Sequence, residues 1–107
     1  MAQLKAPENF IVIRSEDRQS ALFVWDSVVQ NTDGDLITAH EYNLNRSELH
    51  NGLGYSIVKE AILHKMGEPR QFTSLDGLDP DLLYNFTVVA AESTQLDSDP
   101  SIPATDF

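Results

Sequence analysis

Leu78-Asp79-Pro80-Asp81-Leu82-Leu83-Tyr84-Asn85-Phe86-Thr87-Val88-Val89-Ala90 is the stretch whose reading decides the fold. Its second half, from Tyr84 onward, is the longest and most regular strand signal in the chain. A period of two puts Tyr84, Phe86, Val88 and Ala90 on one face, with Asn85 and Thr87 on the other, which is the pattern of a strand with one face in a core. The first half is punctuation. Asp76-Gly77 is a turn signal, and the fixed φ of Pro80 shapes the chain's entry into the strand.

Working outward, Phe10-Ile11-Val12-Ile13 is a short β-rich run after Pro7, and Ala21-Leu22-Phe23-Val24-Trp25 is a second. Tyr42-Asn43-Leu44 alternates apolar with polar. Turn signals separate these runs at Thr32-Asp33-Gly34-Asp35, Asn51-Gly52 and Asp97-Ser98-Asp99-Pro100. Short strands divided by such turns predict an all-β sandwich or barrel. Residues 56–66 are ambiguous. Ile57, Ala61, Ile62 and Lys65 have helical spacing, whereas Val58, Ile62 and Leu63 fit a strand; the β character of the rest favours the strand. There is no internal repeat and no low-complexity tract.

The L-x-P-x-x-x-Y form of Leu78, Pro80 and Tyr84 resembles the tyrosine corner of fibronectin type III domains. There the chain crosses from one sheet to the other, the ring enters the core, and the hydroxyl bonds to backbone a few residues upstream. Other landmarks follow in the family's order: Pro7, Phe10 and Val12 for the first strand, Trp25-Asp26 for the second, and Tyr42 and Leu44 for the third. Thr73, Leu75 and Gly77-Leu78 lead into the corner, and Asp99-Pro100-Ser101 with Thr105 resembles the last strand. Residues 49–69 match least. The resemblance implies a seven-stranded Greek-key β-sandwich, fibronectin type III or immunoglobulin-like, forming a single domain over residues 1–107 with its core at 7–105. Leu78, Pro80, Tyr84, Trp25, Phe23 and Phe86 would be its structural residues. Such modules act as spacers, adhesion units and docking surfaces, and fold likeness alone does not assign chemistry.

The composition narrows the function classes. Seventeen acidic against seven basic residues give a formal net charge of −10, a field that repels phosphate backbones and anionic membrane surfaces. Nucleic-acid binding and membrane insertion are therefore not expected, and no stretch has the apolar length of a membrane span. With no cysteine, disulfides and thiolate metal sites are excluded. Residues 1–10 hold one lysine and no apolar run of the signal-peptide kind; the sequence leaves localisation unknown, with a virion or an extracellular surface the favoured setting.

Candidate chemistry is sparse. His40, His50 and His64 lie on separate segments and read as surface residues rather than as converging zinc ligands. Asp33-Gly34-Asp35 lacks the rest of a calcium loop and reads as a turn. Neither a G-x-S-x-G elbow nor a glycine-rich phosphate loop is present. No catalytic residue, cofactor or metal is expected. Asn45-Arg46-Ser47 and Asn85-Phe86-Thr87 fit the N-x-S/T pattern, which matters only in a eukaryotic secretory setting. The family's integrin-binding triplet Arg-Gly-Asp does not occur in the 93–99 loop.

The most informative feature is strand phase. If Phe10, Val12, Phe23 and Trp25 point inward, then Ile11, Ile13, Leu22 and Val24 point outward, and Phe72 joins them because Thr73 and Leu75 set the opposite phase. Five large apolar side chains on one solvent face exceed scattered exposure and predict a protein interface or self-association. The alternatives are that residues 57–66 fold over this face or that the phase slips by one. The expected function is a non-catalytic structural or docking module of a larger assembly, for which a phage virion is one setting. The competing readings are an extracellular adhesion or receptor module of a longer chain and an accessory domain of a carbohydrate-active enzyme.

Overall fold

A computed structural model describes residues 1–48, 57–81 and 84–105. Strands form where the apolar runs lie: β1 (Ile11–Arg14), β2 (Ala21–Asp26), β3 (Glu41–Glu48), β4 (Ile57–Leu63), β5 (Arg70–Leu75), β6 (Tyr84–Ala91) and β7 (Ala104–Thr105). They pair into two antiparallel sheets, one ordered β1-β2-β5 and the other β4-β3-β6-β7. The ambiguous 56–66 segment is resolved by β4, which pairs with β3 as a hairpin partner, so its helical spacing is incidental.

The alternation of the sequence becomes the core. Ala21, Phe23 and Trp25 of β2 and Leu75 of β5 face Tyr42 and Leu44 of β3 and Tyr84, Phe86, Val88 and Ala90 of β6, all buried. Their rings interlock across the gap: Phe23 meets Phe86 edge-on at 4.7 Å and Trp25 meets Tyr42 edge-on at 5.3 Å, while Phe10 stacks on Phe23 at 6.2 Å. Edge-to-face contact suits the positive rim and negative face of aromatic rings. Each such side chain contributes about 1.5–3 kcal/mol by leaving water.

Three expectations are corrected. The core does not begin at residue 7, because Leu4 is fully buried. The extended N-terminal segment bridges two connections: Leu4 N–H donates to the Leu96 carbonyl (3.2 Å) and Lys5 N–H to the Gln30 carbonyl (3.1 Å). Among the described residues there are six strands of four or more residues, and the seventh is reduced to two, Ala104–Thr105. Upstream of β7, residues 98–101 follow β6 by a substitute ladder. Ser98 and Ser101 N–H donate to the Ala90 and Val88 carbonyls (both 2.9 Å), while the Ala90 and Val88 N–H groups donate to the two serine hydroxyls (2.8 and 3.0 Å). Pro100, between the serines, has no N–H to offer a regular ladder, and the hydroxyls satisfy the buried donors instead. Finally, His64 is half-buried against the core rather than a surface residue.

Candidate docking surface

The corner read from sequence is built as follows. Leu78 and Tyr84 are buried, and Tyr84 Oη accepts the Asp79 N–H at 2.8 Å. Leu82 and Leu83 lie outside the described residues. The β1–β2 turn holds the corner from the other side. Arg14 donates from Nε to the Arg18 carbonyl (2.8 Å) and from Nη2 to the Asp79 carbonyl (3.1 Å), and Arg18 Nε donates to the Pro80 carbonyl (3.1 Å). The guanidinium groups of Arg14 and Arg46 lie 5.1 and 5.6 Å from the centre of the Tyr84 ring. Two inward-phase arginines thus close this end of the core over an aromatic face, a cation–π arrangement.

The opposite end has a hydroxyl anchor that motif reading missed. Tyr42 Oη accepts the buried Val28 N–H at 3.0 Å and lies 2.8 Å from His64 Nδ1. The hydroxyl and the imidazole nitrogen share one hydrogen bond, whose direction follows the tautomer of His64. Burial, with a smaller contribution from the Lys65 charge, holds His64 below the ordinary histidine range, and burial pushes the Tyr42 hydroxyl up against the opposing effect of the Val28 bond. Next to it the amide of buried Gln71 closes the β4–β5 turn: Oε1 accepts Lys65 N–H (2.7 Å), and Nε2 donates to the Ser27 hydroxyl (2.8 Å) and the Lys65 carbonyl (3.1 Å). His50 lies outside the described residues, and the described residues bring no group of three or more metal-ligating side chains together. Asp33-Gly34-Asp35 is a turn around Asn31, whose Oδ1 accepts the Asp33 and Asp35 N–H groups (3.0 and 2.9 Å).

The outer face of the three-stranded sheet carries the outward-phase apolar residues read from the sequence. Ile11, Ile13, Leu22 and Phe72 are exposed and Val24 is half-buried. Register brings them together: Ile11 is opposite Val24 and Val24 opposite Phe72, while Ile13 is opposite Leu22 and Leu22 opposite Ser74. Five apolar side chains therefore fill two adjacent cross-strand rows. β4 belongs to the other sheet, so it does not cover this face. Lys65 reaches over from the β4–β5 turn, its Nζ 4.7 Å from the Phe72 ring centre and 2.9 Å from the Phe72 carbonyl. At the upper end, Asp26 accepts from Asn9 Nδ2 (2.6 Å) and lies 3.8 Å from Arg70 Nε. At the lower end a shallow hollow of about 270 Å³ opens beside the small Ser74, lined by Ile13, Leu22, Ser20 and Asp76 among others. A separate groove of about 610 Å³ runs between residues 5–10 and 100–103, away from the apolar rows.

Two antiparallel sheets in this strand order, closed by a tyrosine corner, define an immunoglobulin-like β-sandwich. Solved structures of the same shape specify the subtype. The fifth fibronectin domain of Drosophila Lar superposes with a TM-score of 0.67 at 17% identity, over 96% of this chain and 94% of that one. The third fibronectin III domain of human KIAA0343 gives 0.64 at 15% identity, over 96% and 80%. The twitchin kinase region of C. elegans gives 0.67 at 20% identity, covering 98% of this chain and 16% of the other. The chain has the fibronectin type III fold. No family model matches the sequence, and no significant match to a curated protein is found. Domains of this fold generally mediate protein–protein contacts within larger proteins. Among the described residues no helix is long and apolar enough to cross a membrane.

Proposed function

We propose that this domain is a non-catalytic docking module that holds a larger assembly together through the outer face of its three-stranded sheet. The observation that carries the reading is the pair of apolar rows formed by Ile11, Val24 and Phe72 and by Ile13 and Leu22, which no element of the described chain covers. The partner is protein, since a net charge of −10 disfavours phosphate-rich surfaces. The twitchin match, in which the fold occupies a small part of a longer chain, favours a module among other domains as the setting. A phage capsid or tail is a second assembly that a small docking domain suits, and the neighbours named above add no weight to it.

The test is the double substitution Leu22→Glu with Val24→Glu. Neither position faces the core, so the melt should stay close to that of the parent. Charges at the centre of an interface go unpaired on docking, so the variant should no longer enter the native assembly. A variant that folds and still assembles removes this face from consideration, and one that fails to fold places Leu22 in the core.

A further inference from the structure

The outer face of the three-stranded sheet is self-complementary. Along the outward phase of β5 and its exit run Arg70, Phe72, Ser74 and Asp76, in order a cation, a large ring, a small residue and an anion. Thr73 is opposite Phe23, and Phe23 opposite Val12, so these three inward-facing residues mark the middle of the sheet, with one apolar row on each side. A two-fold axis lying in the interface plane along this middle row exchanges the two rows. It sets Phe72 of one copy over Ser74 of the other, Arg70 over Asp76, Ile11 over Ile13, and Leu22 over Val24. Large meets small, and cation meets anion.

From this pattern we infer that the docking face takes a second copy of this chain, in an isologous face-to-face dimer with each Phe72 ring seated in the hollow beside the other copy's Ser74. The inference rests on the reading of this face as the docking surface. The hollow supports it: about 270 Å³, walled by Ile13 and Leu22 and rimmed by Asp76, it lies in the row to which the two-fold brings the half-exposed Phe72. Two twisted sheets pack face to face with their strands about 30° apart, which this arrangement permits. Charge favours it as well. The chain as a whole is strongly acidic, yet on this face Asp26 and Asp76 are matched by Arg70 and Lys65, so two copies meet here without the repulsion that other approaches carry. A three-stranded face is small beside the area of about 800 Å² per partner typical of stable complexes, so the dimer is weak and concentration-dependent.

Sedimentation velocity of the intact chain from about 10 µM to 1 mM, the range for a contact of this size, should show a reversible shift from monomer to dimer. Arg70→Asp and Asp76→Arg should each raise the dissociation constant about tenfold, because each introduces like-charge contact at two symmetry-related places. The combined charge swap should restore association to near the parental value. The chain has no cysteine, so a mixture of Ile11→Cys and Ile13→Cys proteins should form the 11–13 cross-link faster than either forms its own. Melts of each variant establish that the fold is kept, and the cysteine pair tests the geometry even if a charge reversal unfolds the chain. A monomer at every concentration overturns the dimer, as does a charge swap that does not restore association or a preference for 11–11 cross-links. Each of these leaves the docking face itself to the Leu22→Glu with Val24→Glu assembly assay, which does not require the partner to be a second copy.

Discussion

Tyr42 and Tyr84 do the same work at opposite ends of the sandwich, and only one of them was visible from its neighbours in sequence. Each ring is buried, and each hydroxyl accepts a backbone N–H, Val28 at 3.0 Å for Tyr42 and Asp79 at 2.8 Å for Tyr84. Tyr84 reaches a donor five residues upstream across a turn containing Pro80, so the motif is local. Tyr42 reaches a donor fourteen residues upstream and a histidine twenty-two residues downstream. Its surroundings also differ: Tyr84 lies beneath two guanidinium groups at the edge of the core, whereas Tyr42 packs against Trp25 and shares a hydrogen bond with a half-buried imidazole. A local motif can be recognised from spacing. The same chemistry assembled from three distant segments cannot.

The largest expected effect breaks the Tyr42 end by removing its neighbour. Trp25→Ala leaves a cavity against Tyr42 and Phe10 and should cost about 3–5 kcal/mol in denaturant melts. Tryptophan emission of the parent should be blue-shifted, since Trp25 is fully buried and is the sole tryptophan. The two hydroxyls come next. Tyr42→Phe orphans a buried N–H and removes the His64 bond, for about 2–3 kcal/mol; Tyr84→Phe orphans a partly exposed N–H that water can satisfy, for about 1–2 kcal/mol. Chemical denaturation of the two variants side by side reads the comparison directly, and equal losses would show that burial of the donor does not set the cost.

The smallest effect is a pH dependence at the Tyr42 end. The folded-state pKa of His64 lies below its unfolded value, so the unfolded chain binds the proton more readily. The contribution is fully present above the ordinary histidine pKa of about 6.5 and is lost as pH falls from there through the folded-state value. Thermal midpoints should therefore decline between pH 7.5 and 5.5, the interval of about one unit on either side of that pKa, and His64→Gln should flatten the decline. A slope unchanged by the substitution would assign it to the carboxylates.

The strands, their phase and the corner were legible because each depends on residues close together in the chain. Tyr84 to Ala90 declares its inner face by strict alternation, and β2 does so through the bulk of Phe23 and Trp25 even though both of its phases are apolar. Gln71 shows the limit. The inward phase of β5, set by Thr73 and Leu75, carries it into the core, and its three hydrogen bonds to Ser27 and Lys65 explain why a polar amide is tolerated there. Nothing in the neighbouring residues announces those partners. The same holds for Leu4, buried where it bridges to Asn31 and donates its N–H to the Leu96 carbonyl, and for the arginines that clamp Pro80 and Asp79.

What the sequence by itself determined is the β class, the inward and outward sets of β1, β2, β5 and β6, and the absence of thiol chemistry, because period, turn residues and composition act over a few residues. What only the tertiary structure decided is which outward residues become neighbours. Phe72 lies beside Val24 and Ser74 beside Leu22 because β5 pairs with β2 in one register out of several. A slip of two residues would preserve every inward and outward assignment and still dissolve the match of ring to hollow and cation to anion. Register between distant strands is set by the closing of the whole core, where Trp25 meets Tyr42 and Phe23 meets Phe86, and that sum of contacts is not written in any single segment.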